Sequence, residues 1–177
     1  MNDTVMIQER HSNLSTKIAR LVAVIGSQHY PAGDRAALRR WAPGQTVPLA
    51  FYRLWLRYAV DDLPPQSQTE AWMLIIWAIA TLGAGAHAPN RPWGRALAEA
   101  GFAEGRLERL LSAPEDVRAD LFMQAVRFLA AKGERFDLAE AARYLLTQDE
   151  AKREQLSRHI AQAFYRSPLV TNWPIKE

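Results

Sequence analysis

The stretch Ala71-Trp72-Met73-Leu74-Ile75-Ile76-Trp77-Ala78-Ile79-Ala80-Thr81-Leu82 decides how this chain folds. Thr81 is its only polar residue, and no proline or glycine interrupts it. A bilayer-spanning helix needs roughly 20 apolar residues, so this run is too short to cross a membrane. A helix that is apolar on nearly every side must be surrounded by other elements of the same protein. The run is therefore expected at the centre of a soluble fold, capped by Ser67 or Thr69 and ended by Gly83.

Outward from that helix, the punctuation is helical in both directions. Toward the N-terminus, Pro48 sits where a first-turn proline belongs and opens a helix through Val60, before the break Asp61-Asp62-Leu63-Pro64-Pro65. A short helix precedes it, from Pro31-Ala32-Gly33-Asp34 to Trp41, with Asp34 as the expected N-cap. The first helix is expected to be capped within Asn13-Leu14-Ser15-Thr16, and Ile18, Leu21, Val22 and Ile25 give it an apolar face up to Gly26.

Toward the C-terminus, Gly83 to Pro92 reads as a loop. Helices follow over Trp93–Ala100 and Glu104–Ser112, then Val117–Ala131 with Asp116 as cap and Lys132-Gly133 as stop. Asp137 caps the next helix through Leu146, and Asp149 or Glu150 opens the last through Tyr165, which Pro168 closes. Val170 to Glu177 reads as a loose tail. No stretch alternates with period two, so the expected class is all-α. The expected organisation is an irregular N-terminal helical domain over residues 1–100 followed by a C-terminal helical bundle over 101–177. The loop at 83–92 and the break at 112–116 are the candidate boundaries.

Composition narrows the chemistry. The chain has 177 residues, 49% of them hydrophobic and 23% charged, which is the make-up of a folded globular protein. It has no cysteine, which excludes disulfides, thiolate metal sites and a cysteine nucleophile. Met1 to Arg10 is polar and has no apolar core of a secretory leader, so a cytoplasmic location is expected. The four histidines, His11, His29, His87 and His159, are not spaced as zinc ligands. Gly83-Ala84-Gly85 lacks the third glycine and the preceding strand of a dinucleotide loop, and neither a phosphate loop nor a GxSxG elbow occurs. Asp61 and Asp62 sit in a proline-rich break, where adjacent acids are turn chemistry. The expectation is a protein without catalytic residues, metal or cofactor.

Charge is what remains. Net charge is only +3, but 18 of the 22 basic residues are arginine. Residues 1–60 hold eight basic groups against three acidic ones, while the remainder holds 14 against 16. Such a skew predicts a cationic face on one part of the molecule. Arg35 and Arg39 are four apart on one helix face, with Arg40 beside them. Guanidinium forks suit phosphate because two N–H donors match two oxygens. Arg53 and Arg57 share a face within Phe51-Tyr52-Arg53-Leu54-Trp55-Leu56-Arg57-Tyr58, whose aromatics at i, i+3, i+4 and i+7 read as core. Arg95, then Arg106 and Arg109, repeat the pattern beside inward Leu107, Leu110 and Leu111. Lys152 and Arg153 lie at a helix N-terminus, where cations oppose the dipole. Each group reads equally as a solvated helix face or a pairing surface for partner carboxylates, so a helical protein–protein adaptor stands as the alternative.

In order along the chain, Arg39-Arg40, Phe51-Tyr52-Arg53-Leu54, Trp93-Gly94-Arg95-Ala96-Leu97-Ala98 with Gly101, Arg106 to Leu111, and Lys152-Arg153-Glu154 resemble the CasB family, the small subunit of the type I-E CRISPR Cascade complex. The resemblance covers roughly residues 35–165. It implies an all-α, two-part, non-catalytic subunit present in two copies beside the other Cascade subunits and crRNA. It implies that the subunit holds the target and displaced DNA strands when the R-loop opens, in antiviral defence. By position it points to Arg39, Arg40, Arg95, Arg109, Arg127 and Arg153, with Arg127 readable also as an internal ion-pair partner. Together with Arg35, Arg53, Arg106 and Lys152, these are the candidate nucleic-acid-binding residues.

Overall fold

The computed structural model describes residues 2–59 and 62–171, with side chains from 13 to 58 and from 62 to 169. It is all-α. The helices are α1 (Asn2–Gly26), α2 (Ala32–Arg40), α3 (Leu49–Leu54), α4 (Gln66–Leu82), α5 (Trp93–Glu99), α6 (Glu104–Leu111), α7 (Glu115–Ala131), α8 (Leu138–Leu146), α9 (Glu150–Tyr165) and α10 (Pro168–Thr171). A π-helical turn, Trp55–Ala59, continues α3.

The apolar run lies at the centre, as its composition demands. Every side chain from Trp72 to Ala80 is buried in α4. Helices α1, α2, α7 and α8 pack around it. The buried side chains form one continuous cluster that reaches from Ile18 on α1 to Phe164 on α9. On one side of α4, Phe51 stacks on Trp55 and Trp55 meets Trp72 edge to face, with ring centroids 5.7 and 4.8 Å apart. On the other, Trp93 is ringed by Phe122, Phe136 and Tyr144 at 5.7 to 6.0 Å.

Helix starts differ from the reading in a systematic way. Asp34 is not the cap of α2, Ser67 and Thr69 do not cap α4, and Asp116 does not cap α7. The residue before each of these helices is a proline: Pro31, Pro65 and Pro114. Proline's fixed φ sets the extended entry to the first turn and it has no N–H to satisfy. Asp137 and Asp149 do cap, accepting from the backbone N–H of Ala139 and Lys152, each at 2.9 Å. Helix α1 begins at Asn2 rather than within Asn13–Thr16, so the polar N-terminal segment continues the helix. Residues 172–177 of the expected tail, with Val60 and Asp61, lie outside the described residues.

Two contacts fix the second half of the chain. The loop after α4 is laced to the loop before α8: Ala88 N–H donates to the Phe136 carbonyl at 2.9 Å, Asp137 N–H to the Arg91 carbonyl at 2.8 Å, and Leu138 N–H to His87 Nδ1 at 3.1 Å. Burial, the largest influence, holds the His87 imidazole below its ordinary pKa. Helix α5 meets α9 at Gly94, where a Cβ would run into the Ile160 carbonyl and stand 3.0 Å from the Phe164 nitrogen. Only glycine permits that approach.

Candidate nucleic-acid interface

The arginines selected from the sequence have three fates. The first group commits its donors internally. Arg35 Nε donates to the Ile25 carbonyl at 3.0 Å and its Nη2 to the Ser27 carbonyl at 2.7 Å, while its guanidinium lies over Tyr30. It finishes the C-terminus of α1, whose last carbonyls need donors. Arg153, with a side chain 11% exposed, holds both oxygens of Glu150 at 2.7 and 2.8 Å and also donates to the Thr147 carbonyl.

The second group is paired but exposed. Arg53 grips Asp34 with two bonds, at 3.2 and 2.6 Å, and this hydrogen bonding holds the Asp34 carboxyl below its ordinary pKa. Arg95 Nε donates to Glu99 at 2.7 Å. Glu99 also accepts from Arg91, and the two arginines hold its carboxyl below the usual range.

The third group points outward. Arg39 and Arg40 are exposed at the last turn of α2, where cations complement the dipole. The Arg39 carbonyl accepts the indole N–H of Trp77 at 3.2 Å. Arg127, exposed on α7, lies 5.2 Å from the centre of the same indole in a cation–π contact, and no carboxylate among the described residues pairs with it. Residues 39 and 127 thus converge on one tryptophan from opposite sides of α4 in the sequence.

A second gathering lies farther along α7. Arg106 is 5.5 Å over Phe102, Lys132 is 5.8 Å over Phe128, and the two rings meet edge to face at 5.2 Å. Arg127 and Lys132 are five residues apart, about 7.5 Å of helix rise. Arg109 is exposed on α6, one turn from Arg106, with a long 3.4 Å bond from Nε to the Gly105 carbonyl. Lys152 is exposed on α9. Lys132 was not selected from the sequence, although Phe128 four residues before it was the available signal.

Guanidinium and ammonium groups displayed in this way can pair with phosphate oxygens, a contact that reads no base edge. Among the described residues, no group of three or more histidine, aspartate or glutamate side chains comes together as a metal site. Among them, too, no helix is long and apolar enough to cross a membrane.

A family model described as CRISPR-associated protein Cse2 matches residues 34–165. That span holds every candidate binding residue named above. No curated relative and no solved structure matches the chain.

Proposed function

We propose a function on one premise: the chain belongs to the family of CRISPR-associated protein Cse2, and is thus a subunit of a CRISPR Cascade complex. Its task there is to hold nucleic-acid backbone and stabilise the R-loop, without cutting either strand. Arg39 and Arg40, exposed on the last turn of α2 that Trp77 anchors through the Arg39 carbonyl, and Arg127, whose guanidinium lies over the Trp77 ring, support this reading. Arg106, Arg109 and Lys132 extend the grip along α6 and α7, and Lys152 and Arg95 add to it elsewhere. Arg35 and Arg153 serve instead as braces for the scaffold, and Arg53 acts through its exposed pair with Asp34.

The energetics suit such a role. R-loop opening exchanges one duplex for another of similar stability, so a few sequence-blind phosphate contacts tip the balance. A net charge of only +3 suits a subunit that binds within an assembly and not alone. Its partners are the other Cascade subunits, crRNA, the target and displaced DNA strands and a second copy of the chain, in the cytoplasm.

The deciding experiment replaces Arg39 and Arg40 by glutamate and scores complex assembly and R-loop formation separately. Lost R-loops with intact assembly are expected. Lost assembly, with normal R-loops from any complex that survives, favours the protein–protein adaptor.

A further inference from the structure

A groove of about 380 Å³ runs between α5 and α9, on residues that the Trp77 face does not use. Arg95 of α5 lines one wall, and His159, Gln162 and Arg166 line the other. All four are exposed. On the α9 side they recur at i, i+3 and i+7, so they form a single row along the helix. Arg95 follows Gly94, the residue at which the two backbones touch, so its position against that row is fixed by a direct backbone contact.

No carboxylate lines the groove. The nearest acids lie behind it and are engaged. Glu99 holds Arg95 through Nε at 2.7 Å, and no described residue takes the terminal nitrogens of Arg95. Glu140 is buried under the α9 wall, accepts from the Trp93 N–H at 2.6 Å, and stands 3.9 Å from His159 Nε2. Glu99 thus orients Arg95 and leaves its terminal nitrogens to the groove.

We propose that this groove seats successive phosphates of one nucleic-acid strand, through Arg95, His159, Gln162 and Arg166. The inference rests on the nucleic-acid reading above and adds a separate track to it. Seven residues of helix rise about 10.5 Å, which spans roughly three phosphates at 3.4 Å per nucleotide of a stacked strand. Two guanidinium groups set apart in one groove match a linear polyanion, while a lone carboxylate of a protein partner would leave one of them unmatched.

The test uses the complex reconstituted with the full chain, carrying Arg95→Gln and Arg166→Gln together. Binding of target duplex is measured between about 50 and 200 mM salt. With assembly intact, the slope of log affinity against log salt is expected to shrink by about 1.4, from about 0.7 for each single-strand phosphate released. An unchanged slope overturns the proposal. So does failure of the variant to assemble, since the groove then seats an acidic segment of a partner protein. Arg39→Gln with Arg40→Gln runs in parallel. If that pair lowers the slope and the groove pair does not, only the groove assignment falls. If neither does, the nucleic-acid reading falls with it.

Discussion

The indole N–H of Trp77, at the centre of α4, donates to the backbone carbonyl of Arg39 on α2 at 3.2 Å. Trp77 is 2% exposed, so the last turn of α2 is pinned to the middle of the core. Trp77→Phe keeps an aromatic ring and removes the donor. The expected cost is about 1–3 kcal/mol for the carbonyl left without its partner. For a domain of this size that is a fall in Tm of roughly 2–4 °C per kcal/mol, read by calorimetry. DNA binding by the complex should weaken as well, because the platform for Arg39 and Arg127 is loosened. Unchanged stability would show that the bond does not anchor α2.

Neighbouring arginines on α2 should separate cleanly in their effects. Arg35→Ala removes two bonds to the carbonyls of Ile25 and Ser27 and is expected to lower stability by about 1–3 kcal/mol. Arg39→Gln with Arg40→Gln removes only outward charge, so Tm should hold while the salt dependence of DNA binding flattens. Thermal melts and binding titrations on the same preparations check both halves. Equal losses of stability in the two variants would contradict the division between brace and grip.

Gly94→Ala places a Cβ against the Ile160 carbonyl, which belongs to helix backbone and cannot swing aside. Helices α5 and α9 must then separate, at about 3 kcal/mol or more. Gly105 offers the contrast: it lies in α6, is exposed, and has nothing within 4 Å of an added Cβ. Gly105→Ala should stabilise the chain by about 0.5–1 kcal/mol, the helix preference of alanine over glycine. Chemical denaturation of both variants measures the difference.

Glu140 is 5% exposed, and burial, the leading cause, raises its carboxyl above the ordinary value of 4.5. The folded chain therefore keeps this proton to higher pH than the unfolded chain does. Stability owed to this group falls as pH rises from 4.5 through the folded value. His87 acts the other way: burial lowers its pKa from 6.5, so stability rises as pH climbs toward 6.5. Glu140→Gln retains an acceptor for the Trp93 N–H and removes the titration. Its stability relative to the parent should grow as pH increases above 4.5. Parallel pH–stability curves for the two proteins would refute the assignment.

The helical class and the central place of α4 were legible because an apolar run without polar stripe has only one environment in water. The caps at Asp137 and Asp149 were legible because those side chains reach only their own first turn. Asp34 was misread because its partner is Arg53, 19 residues away. Arg35 shows the same limit: its role depends on the end of α1 folding back beside α2, which no spacing reveals. The π-helical turn after α3 had no signal either, since Trp55 and Leu56 suit an ordinary helix equally well. Arg39, Arg40, Arg106 and Arg109 are exposed on α2 and α6, as their helical spacing indicates. That the Arg39 backbone and the Arg127 guanidinium meet the same indole was not visible, because α4 joins residues 39 and 127 only in three dimensions. His159 and Arg166 went unselected as isolated charges, although their seven-residue spacing places them on one helix face.

The glycine contact between α5 and α9 also sets how the subunit can move. Two backbones in direct touch have no layer of side chains to slide or repack between them. The pair is therefore expected to move as one unit, so that any bending of the subunit is taken up at other joints of the molecule.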